Sequence, residues 1–285
     1  MEVRESDINT IRDHSVRATL FTPSEPIGKT LVISSATGVL QGYYKKFATH
    51  FAHLGYVVYT FDYWGIGGSG SEINTLKKNL CDLKSWGSVD QAAVTDYARA
   101  RDPLNELTLL THSVGGQVLG FNPHFASIDK IILVASQSGY WRYFNGLDRP
   151  KMWLFWYALI PWLTPFFGYF PAKLLGLFEN IPRCVAYEWM SWGRKKDYMM
   201  AFRNDGEPFF DKIKAPLLSL SFPKDDYAPK QAVDWLTDQF KNARAERLHY
   251  IPDPHELPKL KHFGFFRERF KHSLWALVDE WIHKT

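Results

Sequence analysis

The chain has 285 residues, 46% of them hydrophobic and 22% charged, which suffices for one large α/β domain with an insertion. Its 34 basic and 30 acidic residues leave a net charge of +4 without a basic tract, which argues against nucleic acid as a partner. The two cysteines, Cys81 and Cys184, lie far apart and exclude a disulfide framework; with the charged start Met1-Glu-Val-Arg they point to a cytoplasmic protein.

Residues 9–13 and 16–22 read as an antiparallel strand pair, with Val16, Ala18 and Leu20 alternating with polar residues. Residues 30–35 form a buried strand. From 43 to 54 apolar side chains recur at helical spacing, so that Tyr44, Phe47, Phe51 and Leu54 share one face and Gly55 ends the helix. A strand at 56–61 and a helix at 85–100, bounded by Pro103, follow. After an apolar run that starts at Leu107, strands are expected at 130–135, 216–222 and 247–251. The final helix places Phe266, Phe270, Leu274, Leu277 and Trp281 on one stripe. Strands that alternate with helices specify an α/β fold, a mostly parallel twisted sheet with helices on both faces.

The interval between 135 and 216 is too long for a single crossover. It divides the chain into a core of 1–136 and 213–285 and an inserted helical, aromatic-rich cap at 137–212. Trp141, Trp153, Trp156, Trp162, Trp189 and Trp192 all fall in this insert, and residues 152–172 carry no charge. That length is enough for a membrane span, but Pro161, Pro165 and Gly168 are expected to break the helix. The insert is therefore read as a cap over an apolar pocket, with peripheral contact to a membrane surface as an additional role suited to its Trp and Tyr.

Leu107-Thr-Leu-Leu-Thr-His-Ser-Val-Gly-Gly-Gln117 is the most informative stretch. A buried strand that ends in His-Ser-x-Gly-Gly turns sharply into a helix and exposes Ser113 on a strained elbow, as a nucleophile requires. Thr111 stands where the usual motif has glycine. A serine needs a base and a third group that orients the base. The carboxylate is sought just beyond the strand 216–222, where Asp225 is the first choice and Asp226 the alternative. The base follows the last strand: His262, before the aromatic run Phe263, Phe265 and Phe266, is favoured over His255 in a proline-rich loop. His112 points to the opposite face from Ser113 and reads as a packed, hydrogen-bonded histidine.

Thr37-Gly-Val, residues 44–48, Gly55-Tyr56, the loop 62–69, the elbow, Asp225-Asp-Tyr-Ala-Pro229 and His262-Phe-Gly-Phe-Phe-Arg267 occur in an order that resembles the α/β-hydrolase superfamily. The likeness is to its serine aminopeptidase-like and monoacylglycerol-lipase-like branch, and covers nearly the whole chain. It implies a Ser113–Asp225–His262 triad and an oxyanion hole made by the backbone N–H groups of Thr37 and Val114. It further implies a cofactor-independent serine hydrolase working by acyl transfer, and the apolar composition of the insert adds the expectation of a small-molecule ester or thioester with an apolar acyl or alcohol part. Ser35-Ala36 replaces the family's usual His-Gly, and Trp64 stands where Arg is usual. With Thr111, the missing His-Gly keeps open a non-catalytic binding protein of the same fold; an acyltransferase using the same triad is a further alternative.

Two weaker motifs compete. Gly65-Ile-Gly-Gly-Ser-Gly70 fits a dinucleotide-binding pattern and Asp90 has roughly the spacing of its acidic partner, but residues 71–78 lack the apolar face of the required helix. His50 and His53 share a helical face without a third metal ligand nearby in sequence, so no metal site is assigned.

Overall fold

The computed structural model describes residues 1–205, 208–255 and 257–284. Among these, eight strands form one sheet in the order β1-β2-β4-β3-β5-β6-β7-β8: β1 Glu2–Asn9, β2 Ser15–Thr22, β3 Lys29–Ser34, β4 Val57–Phe61, β5 Glu106–His112, β6 Lys130–Val134, β7 Leu217–Ser221 and β8 Ala245–His249. β1, β2 and β4 pair antiparallel, and every pairing from β4 through β3 to β8 is parallel.

The parallel strands β3 to β7 are buried on both faces, unlike the edge strand β8, so alternate residues feed two separate cores. Leu107, Leu109, Ile131 and Leu133 pack into one core, with Trp86, Val94 and the aromatic insert. Leu110, Ile132 and Val134 pack into the other, with Phe47, Phe51, Leu274 and Trp275. The helix Lys45–His53 and the C-terminal helix Ala276–Lys284 cover this second face.

Several expected boundaries shift. The first strand is Glu2–Asn9, and residues 11–13 turn between β1 and β2. Its only fully buried side chain is Ile8, so an edge strand that is polar on both faces gives no alternating signal. The last strand begins at Ala245, two residues before the expected one, because exposed Glu246 and half-buried Leu248 mask its pattern. Leu54 ends its helix 40% exposed instead of joining Tyr44, Phe47 and Phe51 in the core. Phe266 is buried ahead of the final helix, not on it.

The insert between β6 and β7 is helical. Residues 148–167 form one helix in three segments, Asp148–Leu154, Phe155–Leu159 and Ile160–Phe167, and Gly168 caps it at φ 80°. The expected break at Pro161 and Pro165 does not occur. The segment Phe155–Leu159 is a π turn directly before Pro161, and a wider turn accommodates a residue that can neither donate an N–H nor tolerate a close carbonyl four residues earlier. Trp156, Ile160 and Thr164 of this helix are buried. A second helix, Arg183–Gly193, joins the insert to the core: Glu188 accepts the backbone N–H of Lys84 at 3.1 Å and lies 3.6 Å from Lys84 Nζ. Burial, and then the neighbouring Asp82, push the Glu188 carboxyl up to about 7.

Candidate active site

The elbow is built from backbone constraints. β5 ends at His112, and Ser113 takes φ 53° and ψ −113° before the helical turn Val114–Val118. A side chain at Gly115 would put its Cβ 2.7 Å from the Ser34 carbonyl oxygen of the neighbouring strand, so only glycine lets β3 and the turn approach this closely. Thr111 is accommodated: its hydroxyl is buried and hydrogen-bonds Ser136 Oγ at 3.1 Å.

Non-glycine residues with positive φ are Ser113, Ala135, Tyr198, Lys224 and Lys261 among the described residues. Lys224 directly precedes Asp225 and Lys261 directly precedes His262. Backbone strain thus falls on Ser113 itself and on the residue before each of its two expected partners, a distribution characteristic of functional sites.

Asp225 and His262 are brought together. His262 Nδ1 and Asp225 Oδ2 lie 3.0 Å apart, and both side chains are buried. The other carboxylate oxygen, Oδ1, accepts the backbone N–H groups of Tyr227 and Ala228, each at 2.9 Å. Asp226 is 48% exposed and pairs with Lys261 Nζ at 2.9 Å. His255 is exposed in its loop. The alternatives at 226 and 255 therefore lie outside the buried pair.

Ser113 Oγ donates a long hydrogen bond to Gln137 Oε1 at 3.4 Å, and Gln137 Nε2 donates to the Tyr227 carbonyl at 3.1 Å. The Tyr227 ring in turn lies 5.3 Å from the His262 ring, centre to centre. Gln137 therefore links the elbow to the loop that follows Asp225. Sequence reasoning missed it, although its place just beyond the carboxyl end of β6 is where sites of open α/β sheets form.

His112 joins the elbow to the base from the other side. Its Nε2–H donates to the His262 carbonyl oxygen at 3.1 Å, since a carbonyl can only accept. Its Nδ1 is then the acceptor for Tyr44 Oη, 2.9 Å away, and Tyr44 Oη accepts the Ala36 N–H at 2.9 Å. Burial, reinforced by His262, holds the His112 imidazole well below its usual range and so neutral, as this chain of donors requires. Tyr44, read from the sequence as a core residue, thus carries a hydrogen bond between the loop before Thr37 and the histidine beside Ser113. Thr37 is itself buried, and its hydroxyl has no hydrogen-bond partner in the protein.

The competing motifs are absorbed elsewhere. Asp90 is buried, bonded to His14 Nε2 at 2.8 Å and to the Trp64 N–H at 2.8 Å, while Trp64 stacks on the His14 ring at 4.6 Å. Among the described residues, no three His, Cys, Asp or Glu side chains converge in a way that could hold a metal ion. No helix among them is long and apolar enough to cross a membrane. A cavity of about 320 Å³ lies beside Asp225, lined by Asp148, Lys224, Asp226, Lys230 and His249 among others. Phe144, Phe222, Pro223 and Pro229 line it as well, so its wall is mixed, where an apolar one was expected beneath the insert.

Comparison with known proteins agrees with this architecture. The family model described as serine aminopeptidase, S33, matches residues 26–180. Among solved structures, the chain is similar to DcsB in complex with its substrate analogue, with a TM-score of 0.68 and 13% identity over 99% of both chains. It is also similar to a highly thermostable carboxyl esterase from Bacillus coagulans in complex with glycerol, with a TM-score of 0.65 and 13% identity over 98% of this chain and 99% of that one. A third similar structure is a thermophilic esterase from Thermogutta terrifontis, with a TM-score of 0.60 and 13% identity over 99% of this chain and 98% of that one. No match to a curated protein was found.

Proposed function

Because the chain belongs to the serine aminopeptidase S33 family of α/β-hydrolases, we propose that it cleaves a carboxylic ester or thioester through Ser113, His262 and Asp225. The observation that carries this reading is the buried pairing of His262 Nδ1 with Asp225 Oδ2, together with strained backbone at Ser113 and before each partner.

In the proposed reaction the Ser113 hydroxyl exchanges its long hydrogen bond to Gln137 for one to His262 Nε2. Oγ attacks the substrate carbonyl carbon and the imidazole takes its proton. Asp225 keeps the remaining proton on Nδ1 and stabilises the imidazolium. The N–H groups of Thr37 and Val114 receive the oxyanion; one such donor is typically worth ~10²–10³ in turnover. The unpartnered Thr37 hydroxyl is a candidate third donor. His262 then protonates the leaving alcohol or thiol. Water attacks the acyl-enzyme and gives its proton to the same imidazole. Ser113 Oγ leaves, recovers that proton from His262, and the carboxylic acid is released. Tyr44 and His112 act as positioning residues that hold the base loop against the elbow.

The proposed substrate class rests on the aromatic composition of the insert at 137–212, read as a cap, which favours an apolar acyl or alcohol part. The test is a panel of p-nitrophenyl esters from acetyl to dodecanoyl. The expected result is hydrolysis with kcat/KM rising from acetyl into the medium chains. No turnover across the panel would contradict the reading. Transfer of the acyl group to an added alcohol, in preference to water, would reassign the same site to acyl transfer.

A further inference from the structure

From Met152 onward the helix over 148–167 has no charged side. Its inner face packs on the core through Trp156 and Ile160, yet its outer face, turned to solvent, carries Trp153, Leu154, Tyr157, Trp162 and Phe166 at helical spacing. Trp162 is 78% and Phe166 83% exposed. Single exposed apolar residues are ordinary, but a whole helical stripe of them is a surface that needs a partner. No charged residue occurs from Met152 to Ala172.

Charge identifies the partner. Residues 137–212 contain ten basic and seven acidic residues, so this quarter of the chain holds three of its four net positive charges. The charges nearest in sequence to the uncharged run are basic at both ends: Arg149 and Lys151 before it, Lys173 after it. Lys151 pairs with Asp148 and Lys173 with Glu179, but both lysine side chains are more than half exposed, and such surface pairs yield readily to a stronger anion. Lys77, from the helix Ile73–Lys78, packs where a Gly168 side chain would stand, beside the end of the stripe. An apolar, Trp- and Tyr-bearing helix face with cations at its ends matches a bilayer interface, where rings sit at headgroup depth and lysines reach phosphates. The helix is about 30 Å long at 1.5 Å per residue, and its inner side is committed to the core.

We propose that this face docks on an anionic lipid surface, with the helix lying in the interface plane. This proposal is independent of the chemistry at Ser113.

The test is co-sedimentation of the full chain with vesicles of phosphatidylcholine alone and of phosphatidylcholine with phosphatidylglycerol. The expected result is binding to the anionic vesicles at least tenfold tighter than to the neutral ones, weakened by salt. The double variant W162E/F166E is expected to stay in the supernatant with an unchanged unfolding midpoint, since both side chains are exposed. K151E/K173E, which leaves the apolar stripe intact, is expected to lower binding to the anionic vesicles alone. Absence of binding to either vesicle, or equal binding to both, would overturn the proposal. So would a stable dimer that W162E/F166E dissociates, because a second copy would then be the occupant.

Discussion

On the proposed mechanism His262→Ala is expected to abolish ester turnover, with kcat falling by roughly 10⁵–10⁶, the scale on which triad members fail when one is removed. His255→Ala retains most of the rate. The contrast rests on burial and partners: His262 is enclosed, bonded to Asp225 at 3.0 Å and held through its carbonyl by His112, whereas His255 is exposed. Steady-state kinetics on a p-nitrophenyl ester, with unfolding midpoints to verify folding, decide it. Loss of turnover in His255→Ala with a largely active His262→Ala would place the base in the other loop.

Asp225→Asn should lower kcat by about 10⁴, the typical cost of a wrong imidazole tautomer, while Asp226→Asn changes it little. The local hydrogen bonds fix why. Asp225 Oδ1 accepts two backbone N–H groups, so an asparagine must keep its carbonyl oxygen there. Its NH₂ group is then left facing His262 Nδ1 and can only donate. The imidazole responds by carrying its proton on Nε2, where it can no longer accept one from Ser113. Asp226 is half exposed and paired with Lys261, with no bond to the imidazole. Equal losses in the two variants would contradict this assignment.

The parallel core was legible because its central strands are buried on both faces and read as near-continuous apolar runs, as in Leu107-Thr-Leu-Leu110 and Ile131-Ile-Leu-Val134. The elbow was legible for a different reason, since Gly115 is demanded by the close approach of Ser34. β1 was not, because an edge strand with Glu2, Arg4, Glu5 and Asp7 has little to bury. The unbroken helix across Pro161 was not either, because a π turn is a tertiary accommodation with no residue signature. At the site, Asp225 and His262, which the structure pairs, were expected from chain order, loop chemistry and the family resemblance. Gln137 and the Tyr44–His112 link were not, since each depends on side chains that meet only when β3, β5, β6 and the loop at 262 are assembled.

The most direct measurement is covalent labelling with a fluorophosphonate followed by intact-mass and peptide analysis. A serine hydroxyl activated as proposed is expected to take one adduct, mapped to Ser113, with none on Ser113→Ala. A wild-type protein that stays unlabelled, or an adduct that persists on Ser113→Ala, would contradict the account.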